Sequence, residues 1–422
     1  MVKEITPTGV LNARIRLPGS KSVTNRALIC AALAEGESVV RNASDSDDTA
    51  LMANGLNQLG VLVRRTGNTL LVEGTGGKLF APKFPIPVGD AGTTFRFLVS
   101  LAALAKGNVK FDGDRRMAER PIGDLLDALK RLGVETKAQL PSPLCEVRGG
   151  SLQGGLTALN GSSSSQFLSS LLMVASYAHQ DVIIEVEGAL PSIPYVDTTL
   201  EVMKQFGVQA EHRDHKRFTI KSGQRYRPSE IVVEPDASAA SYFLAAGAIA
   251  GGTVLVEECS SSLQQGDVQF IHVLQRMGCE IVETAEGISV KRQSRGVLAG
   301  VDVDMNSMPD VVPTLAVVAL FAEGKTCIRN VAHLQFKESD RLAALATELQ
   351  KLGAKVIVCD EGIEIEPGPL HGAQLDTYDD HRLAMSFALI GLRVPGVRIE
   401  NPDCVRKSFP GFWREFDKLY GK

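Results

Sequence analysis

The chain has 422 residues, of which 44% are hydrophobic, 22% charged and 5% aromatic, a composition typical of globular proteins. This composition excludes a disordered, collagen-like or coiled-coil protein, and because the length exceeds that of one usual hydrophobic core we expect two domains. Forty-five Lys and Arg residues against 49 Asp and Glu give a net charge of -4, which provides no global attraction to nucleic acid or to a membrane surface. Any anion-binding site must therefore be local.

The beginning of the chain, MVKEITPTGV, lacks the order of basic, apolar and small residues that marks a signal peptide, and the seven cysteines form no C-x-x-C pair. We therefore expect a cytoplasmic protein whose cysteines are reduced and buried. The uncharged run from Ala237 to Val256 is long enough to suggest a membrane span, but Gly247, Gly251 and Gly252 interrupt it. A buried helix, a turn and a strand are expected there instead.

One pattern recurs six times along the chain: a turn of small or polar residues, a helix rich in Ala and Leu, a glycine turn and a β-branched strand. The copies begin, in chain order, at Pro18, Val88, Asn160, Glu234, Ser307 and Tyr378. In the first five copies a second, amphipathic helix follows. These helices are predicted to end at glycines with positive φ, namely Gly60, Gly133, Gly207, Gly278 and Gly353.

Six such units predict an α/β (α+β) protein with three units in each of two domains. We place the first domain at residues 20–234 and the second at residues 1–19 together with 235–422, so that the N-terminal segment pairs back into the second domain. The first helix of each unit is apolar on all sides, which predicts a buried helix at the centre of a domain. The second helix has a polar face, which predicts a peripheral position.

The starts of the buried helices predict an anion site. If these helices run parallel in each domain, their N-termini converge on one face, and two such faces would oppose each other across a cleft. A helix N-terminus attracts anions through its free N–H groups and partial positive charge. The first three starts carry Gly19, Ser20, Ser22, Gly89, Gly92 and the run Ser162 to Ser165. Ordinary helix capping is the alternative explanation for each of these residues taken singly.

Basic and acidic side chains accompany these starts. The basic ones are Lys21, Arg26, Arg96, Arg120, Lys337, Arg341, Arg382 and Lys407. A single one could be an ordinary surface residue, but their recurrence beside Gly/Ser turns indicates a site that concentrates anionic substrates. The acidic ones are Asp310, Glu338 and the pair Asp379-Asp380, and a carboxyl among cations can donate or accept a proton. For Glu338 helix capping is the alternative, and His381 is either a catalytic base or a structural residue.

Other motifs do not carry a site. Gly324-Lys325-Thr326 resembles the end of a P-loop, but it precedes a strand and lacks the required upstream glycine. No G-x-G-x-x-G motif follows a strand, and His212 and His215 lie in a charged hairpin that does not predict a metal site. We therefore expect neither a metal nor a nucleotide cofactor.

Nine motifs resemble the 5-enolpyruvylshikimate-3-phosphate synthase family, in its order and at its spacing. They are PGSKSVTNRAL, GDAGTTFR, RRMAERPIGDL, SSSSQFLSSLLM, SIPYVDTTL, MPD, FKESDRL, DDHRLAMSF and VRKSFPGFW. The resemblance covers almost the whole chain. It implies an inverted α/β barrel of two domains, each with three βαβαββ units around buried parallel helices.

The resemblance also implies the reaction, which is transfer of the enolpyruvyl group of phosphoenolpyruvate to the 5-hydroxyl of shikimate 3-phosphate. The implied ligands of shikimate 3-phosphate are Lys21, Ser22, Arg26, Ser164, Ser165, Gln166, Ser192, Tyr195, Asp310, His333 and Lys337. The implied ligands of phosphoenolpyruvate are Lys21, Asp90, Gly92, Arg120, Gln166, Arg341, Arg382 and Lys407. Glu338 resembles the proton donor and Asp310 the proton acceptor, with Lys21 and Lys407 assisting. No metal or cofactor is implied, and the family precedent is a monomer.

Four positions depart from the usual pattern of the family. Asp90 stands where Asn is usual, Phe97 replaces a frequent proline, Ile193 a basic residue, and His333 an Asn that commonly contacts substrate. Two alternative functions fit the residues less well. A UDP-N-acetylglucosamine enolpyruvyltransferase typically carries a loop cysteine (or Asp in its place), and FDGDRRMAERP has no cysteine. A non-catalytic phospho-ligand binding protein would be expected to have lost some of the basic and acidic residues.

Overall fold

The computed structural model describes residues 1–138, 144–150, 152–162, 164–292 and 296–421. The chain divides into two compact units, which are the first unit, Gly19–Glu234, and the second unit, Met1–Pro18 with Pro235–Lys422. Each unit has its own hydrophobic core. Within the described ranges, every helix is too short or too polar to cross a lipid bilayer.

Strands β1 (Val2–Ile5) and β2 (Leu11–Ile15) precede the first unit. The helices of the first unit are α1 (Lys21–Leu33), α2 (Asp47–Gln58), α3 (Gly92–Ala102), α4 (Arg115–Glu119), α5 (Gly123–Arg131), α6 (Ser165–Ala175) and α7 (Ile193–Gln205). Its strands are β3 (Glu35–Arg41), β4 (Leu62–Thr66), β5 (Thr69–Thr75), β6 (Leu79–Phe80), β7 (Ile86–Gly89), β8 (Ala105–Gly113), β9 (Glu135–Ala138), β10 (Cys145–Gly149), β11 (Gly155–Asn160), β12 (Val182–Glu187), β13 (Glu211–Arg213), β14 (Arg217–Ile220) and β15 (Glu230–Val232).

The helices of the second unit are α8 (Ala237–Ala250), α9 (Phe270–Arg276), α10 (Val312–Ala319), α11 (Arg341–Gln350), α12 (His381–Ile390) and α13 (Phe412–Asp417). Its strands are β16 (Gly252–Glu257), β17 (Glu280–Thr284), β18 (Gly287–Arg292), β19 (Leu298–Ala299), β20 (Asp302–Asp304), β21 (Ala322–Glu323), β22 (Thr326–Arg329), β23 (Lys355–Cys359), β24 (Gly362–Glu366), β25 (Gln374–Leu375) and β26 (Val397–Glu400). Short 3-10 turns span Gly266–Gln269, Pro309–Val311, Ala332–Phe336, Pro402–Lys407 and Lys418–Tyr420.

One sheet topology recurs in both units. Two parallel strands pair side by side, and an antiparallel hairpin continues the sheet, in the orders β15-β3-β5-β4, β11-β12-β14-β13, β2-β16-β18-β17 and β20-β22-β24-β23. Parallel pairing needs a long crossover connection, and in the two repeats that begin with β11 and β20 the buried helix supplies it. In the last repeat of the chain, β1 pairs antiparallel with β26, so the N-terminal segment completes the sheet of that repeat.

This arrangement confirms the predicted mixed α/β class with its repeated βαβαββ units. The sheets remain separate and open, and among the described residues they form no closed barrel. The outer hairpin strands β4, β13, β17 and β23 are the edge strands of these sheets, and their residues are largely exposed. They have no further strand to pair with in their sheets.

The predicted layering of the helices is also confirmed. Helices α1, α3 and α6 are almost wholly buried in the core of the first unit, as are α8, α10 and α12 in that of the second. The amphipathic helices expose a polar face, and the glycines that end them have φ between 87° and 100°. The run from Ala237 forms α8, a glycine turn and β16, as expected. The prediction of buried cysteines is wrong for two of them, because Cys359 is exposed at the end of the edge strand β23 and Cys404 is only partly buried, although all seven thiols are free.

Candidate active site

In the first unit, a buried ion pair holds the lysine at the start of α1. Ser20 caps this helix, and its hydroxyl accepts a hydrogen bond from the Val23 N–H. Lys21 is the first residue of the helix, and its Nζ lies 3.0 Å from Asp48 Oδ2, with both side chains buried. Asp48 lies in the first turn of α2. The ammonium group is therefore fixed next to the positive end of a helix, an arrangement that favours anions.

Arg26 lies one turn further along α1 and joins it to α7. Its guanidinium donates to Thr199 Oγ1 at 2.7 Å, to the Tyr195 carbonyl at 3.0 Å and to the carbonyl of Ser22 at 2.9 Å. It also stacks on the ring of Phe97 at 5.3 Å. These hydrogen-bond partners are neutral oxygens, and burial lowers the pKa of Arg26 to about 10. Phe97, which departs from the family pattern, therefore forms part of this packing.

Two arginines lie at the N-terminus of α3 in the first unit. Gly92 begins the helix, and a Cβ at this position would lie only 2.6 Å from Arg120 Nη2 and 2.7 Å from Arg96 Nη1. Arg120 Nη1 donates to the carbonyl of Asp90 at 3.1 Å. Two guanidinium groups and a helix N-terminus thus meet where only glycine leaves room, which is suited to binding a phosphate.

Arg96 also fixes the orientation of Gln166, a residue predicted to bind both substrates. Its Nη1 donates to Gln166 Oε1 at 2.6 Å, and Gln166 Nε2 donates to Thr93 Oγ1 at 3.2 Å. Its Nη2 donates to the carbonyl of Pro121, the residue after Arg120, at 3.3 Å. Arg96 was predicted as one of the cations of the anion site but not as a ligand of either substrate, and its position four residues after Gly92 in the same helix is consistent with its place here.

The serines predicted to bind phosphate lie at two helix starts. Ser164 caps α6, and its Oγ accepts a hydrogen bond from the Gln166 N–H at 3.2 Å. Ser165 is the first residue of α6 and is buried, whereas Ser163 of the same run lies outside the described residues. Ser192 precedes α7 with a φ of 59°, a left-handed conformation that is uncommon for a residue other than glycine. Such conformations cluster at ligand-binding sites.

In the second unit, Arg341 is the centre of a buried ion network. Its guanidinium donates to three carboxylates, Asp380 Oδ2 at 2.8 Å, Glu338 Oε2 at 2.8 Å and Asp310 Oδ1 at 3.0 Å. The side chain is 1% exposed. Burial opposes the charge, but the three carboxylates outweigh it and raise the pKa of Arg341. The predicted carboxylate-binding arginine and both predicted proton-transfer acids are therefore brought together.

Asp310 shares these cations. Arg382 Nη2 donates to Asp310 Oδ2 at 2.7 Å, and Lys337 Nζ lies 3.6 Å from its other oxygen. Burial opposes ionisation, yet Arg382, Lys337 and Arg341 hold the pKa of Asp310 well below its ordinary value. Asp310 is therefore a carboxylate at neutral pH.

Three further residues support this network, and two of them, Tyr242 and Asp267, were not predicted. Asp380 caps α12 and accepts from Arg341, although only the Asp379-Asp380 pair was predicted. Tyr242 of α8 accepts from Arg382 Nη1 at 3.3 Å, and burial raises the pKa of its hydroxyl to about 12. Asp267 accepts a hydrogen bond from Ser238, and burial together with the charge of Asp310 raises its pKa to about 6.

Two other predicted residues are placed near the network. His333 lies in the 3-10 turn Ala332–Phe336, and within the described part of the chain its Nε2 is buried without a hydrogen-bond partner. Burial, assisted by Lys337, lowers the pKa of His333 to about 3, so its imidazole is neutral at physiological pH. His381 is 1% exposed and begins α12, with Nδ1 3.6 Å from Asp380 Oδ1.

Lys407 ends the 3-10 turn Pro402–Lys407 and is buried. As for metals, the described ranges contain no group of three or more His, Cys, Asp or Glu residues that could hold an ion. His212 and His215 lie on the exposed hairpin of β13 and β14, where His215 Nε2 is 2.6 Å from Asp197 Oδ1.

Comparison with known proteins gives one consistent result. The family model described as EPSP synthase (3-phosphoshikimate 1-carboxyvinyltransferase) matches residues 5–416. The chain is 42% identical to the 3-phosphoshikimate 1-carboxyvinyltransferase of Trichormus variabilis, over 98% of this chain and 97% of that protein. It is 45% identical to the chloroplastic enzyme of that name from Solanum lycopersicum, over 98% of this chain and 84% of that protein. Among solved structures, EPSP synthase from Acinetobacter baumannii is similar with a TM-score of 0.81 and 25% sequence identity, over 99% of this chain and 98% of that one.

Proposed function

Because the chain belongs to the EPSP synthase family, it transfers the enolpyruvyl group of phosphoenolpyruvate to the 5-hydroxyl of shikimate 3-phosphate, and we propose here how its residues divide that reaction. The reaction proceeds by addition and elimination through a tetrahedral intermediate and releases inorganic phosphate. The family membership disfavours both alternatives, a UDP-N-acetylglucosamine enolpyruvyltransferase and a non-catalytic binding protein.

The first unit is proposed to bind the phosphate of each substrate. Gly92, Arg120 and Gln166, with the backbone of Asp90, are assigned to the phosphate of phosphoenolpyruvate, since two guanidinium groups meet a helix N-terminus there. The residues of this unit assigned to shikimate 3-phosphate are Lys21, Ser22, Arg26, Ser164, Ser165, Gln166, Ser192 and Tyr195. Arg26 and Tyr195 support this assignment least directly, because Arg26 is held inside the unit by the Tyr195 carbonyl.

The second unit is proposed to bind the carboxylate of phosphoenolpyruvate and to move the protons. Arg341 and Arg382 are the carboxylate ligands, Lys407 binds the phosphate, and Lys337 and His333 contact shikimate 3-phosphate. Lys407, together with Lys21 of the first unit, is also proposed to assist the proton transfers. The observation that carries this assignment is that Arg341 bridges Asp310 and Glu338, the two acids that the reaction needs. A substrate carboxylate would compete for Arg341 and Arg382, which would raise the pKa of Asp310 and make it a better proton acceptor.

The proton transfers follow from the chemistry of addition. Glu338, in its protonated form, delivers a proton to C3 of phosphoenolpyruvate, so that C2 becomes cation-like and bonds to the 5-oxygen, while Asp310 accepts the hydroxyl proton. In the elimination, the C2–O bond to phosphate breaks, C3 returns its proton to the Glu338 carboxylate and the double bond is restored, while the proton held by Asp310 passes to the departing phosphate. Arg120, Lys407 and the N-terminus of α3 stabilise the charge that develops on the departing phosphate.

The test is a phosphate-release assay with purified protein. Phosphate should appear only when phosphoenolpyruvate and shikimate 3-phosphate are both present, and mass spectrometry should identify the enolpyruvyl ether. UDP-N-acetylglucosamine serves as the competing acceptor. Turnover with that acceptor in place of shikimate 3-phosphate, or binding of both substrates without phosphate release, would overturn the assignment in favour of one of the alternatives.

We propose also that the two units act as domains and that the protein is a cytoplasmic monomer. Support for the first point is the separate core of each unit, and support for the second is the resemblance to the family. Light scattering of a purified sample should give the mass of one chain, 45.2 kDa. A mass of twice that value, unchanged on dilution, would contradict the monomer.

A further inference from the structure

A turn of unusual conformation precedes α12 in the second unit. The N–H of Asp380 donates to the carbonyl of Thr377 at 2.8 Å, which closes a four-residue turn. The two central residues, Tyr378 and Asp379, have φ of 51° and 57°, so both are left-handed. This is the type I′ arrangement, in which Asn and Gly are usual and a bulky residue such as Tyr is not. The surrounding structure must therefore hold the turn in place.

One anchor of the turn comes from α11. The side chain of Glu348 is fully buried, and it accepts hydrogen bonds from the Asp376 N–H at 3.1 Å and from the Tyr378 hydroxyl at 2.8 Å. Burial and this contact raise the pKa of Tyr378 to about 12, so the hydroxyl remains a donor at physiological pH. Since α11 begins with Arg341, the anchor links the turn to the helix that carries the central arginine of the network.

A second anchor lies on the other side of the turn. Asn401 Nδ2 donates to Asp379 Oδ1, and Asn401 itself is left-handed with a φ of 41°. Asn401 is the residue that precedes the 3-10 turn Pro402–Lys407. The last residue of that 3-10 turn is Lys407, so this anchor links the turn to a second cationic element.

The turn leads directly into the third cationic element. Asp380 follows it and caps α12, accepting from the N–H of Arg382 at 2.9 Å. The same carboxylate accepts from Arg341 Nε at 2.8 Å. A change in the direction of the turn would therefore move Asp380 and, with it, the side chains that it orients.

We propose that the left-handed turn Tyr378-Asp379, anchored by Glu348 and Asn401, is a positioning element that sets the relative placement of Arg341, Arg382 and Lys407. The inference rests on the proposed function, which assigns these three cations to phosphoenolpyruvate. The anchors are positioning residues, because they act through the cations and have no assigned contact with substrate. Their loss should affect one substrate more than the other, which a purely structural role would not do.

The experiment compares steady-state kinetics of four variants. Tyr378→Phe removes one anchor, and Asp379→Ala removes the other while keeping a side chain that disfavours left-handed backbone. Asp379→Asn is the conservative variant, since Asn tolerates this conformation and its Oδ1 can still accept from Asn401. Tyr420→Phe is the matched control, because it also removes a tyrosine hydroxyl bond, to the Thr6 carbonyl at 2.7 Å, but outside the network.

The first two variants should raise KM for phosphoenolpyruvate about threefold to tenfold, the effect of one lost hydrogen bond, and change KM for shikimate 3-phosphate less than about twofold. Asp379→Asn and Tyr420→Phe should leave both constants near those of the unmodified enzyme. Equal increases for the two substrates, or a lower melting temperature with unaltered constants, would overturn the positioning role.

Arg382→Ala separates failure of this inference from failure of the proposed function. It should raise KM for phosphoenolpyruvate. When Asp379→Ala is added to this variant, its further effect on that KM should be smaller than in the unmodified enzyme, because the turn is proposed to act partly through the placement of the Arg382 side chain. If Arg382→Ala raises that KM while the turn variants do not, only the role of the turn is wrong. If Arg382→Ala leaves it unchanged, the carboxylate assignment is wrong, and the inference falls with it.

Discussion

The two units hold the buried arginines of the candidate site in different ways. In the first unit the guanidinium groups of Arg26, Arg96 and Arg120 donate to neutral oxygens, which are carbonyls, a hydroxyl and an amide. In the second unit Arg341 and Arg382 donate to carboxylates. A neutral oxygen fixes the geometry of a cation without neutralising it, whereas a carboxylate does both.

The pKa shifts reflect this difference. Burial lowers the pKa of Arg26, whereas the carboxylates overcome burial and raise the pKa of Arg341. At the start of α3, Arg96 and Arg120 likewise donate to an amide oxygen and to carbonyls. Around Arg341, cations and carboxylates are paired with one another. A bound substrate carboxylate would compete for these cations and so raise the pKa of Asp310. This contrast agrees with the proposed division, in which the first unit mainly binds and the second unit also carries the chemistry.

The largest effect is expected from removing the acids of the second unit. Asp310→Asn and Glu338→Gln should lower kcat by about two to four orders of magnitude, because each removes a proton-transfer group while nearly preserving shape. Calorimetry should show that both variants still bind shikimate 3-phosphate. Near-normal turnover in either variant would end the proposed division between binding and chemistry.

The next effect is on the free energy of unfolding, and it compares an arginine bonded to carboxylates with one bonded to neutral oxygens. Arg341→Met leaves buried carboxylates without their cation and should cost about 3–5 kcal/mol of unfolding free energy. Arg26→Met leaves neutral oxygens unsatisfied and should cost about 1–3 kcal/mol. Urea unfolding of both variants measures the difference. Equal losses would mean that the charge of the partner does not matter at these sites.

A smaller effect is expected on affinity alone. Arg120→Ala should weaken binding of phosphoenolpyruvate by about one to two orders of magnitude, the value of a charge-assisted hydrogen bond, and leave that of shikimate 3-phosphate nearly unchanged. Arg131→Ala is the control, since Arg131 also donates to a carbonyl, that of Ala158 at 2.9 Å, but on the surface. Similar losses for both substrates would contradict the separate phosphate sites.

Asp267 provides the smallest and most specific test. Its pKa is raised from 3.8 to about 6, so its protonated form stabilises the fold below the ordinary pKa, and this contribution is lost as pH rises through about 6. Asp310 has a lowered pKa and acts in the opposite sense, losing its contribution only as pH falls below the ordinary carboxyl range. Asp267→Asn should therefore remove a decline in unfolding free energy between about pH 4 and 6. Urea midpoints across this range that show the same decline in the variant would refute the assignment.

Much of the fold could be predicted because its signals are local. The apolar helices, the amphipathic helices and the glycines that end them each follow from a short stretch of sequence. Openness of the sheets and exposure of Cys359 could not be predicted, because both depend on which strand lies at an edge.

The candidate site divides along the same line. The motifs indicate which residues carry charge, and within each unit the structure brings most of them together. The supporting residues were missed because their contacts join distant segments, as where Tyr242 meets Arg382 and where Glu348 meets Tyr378. Asp48 was not predicted, because it lies in an acidic run of the kind that is common at solvent-exposed helix starts. The roles of the site residues themselves stay predictions.

The pairing of β1 with β26 has a consequence for the order in which the protein is made. Val2 pairs with Glu400, so a strand that leaves the ribosome early has no partner until the second unit is nearly complete. The first unit is contiguous, and its sheet of β3 can close as soon as β15 emerges. We therefore expect folding during synthesis to begin with the first unit. Until the second unit has been made, β1 and β2 stay unpaired, and unpaired strands are prone to aggregation.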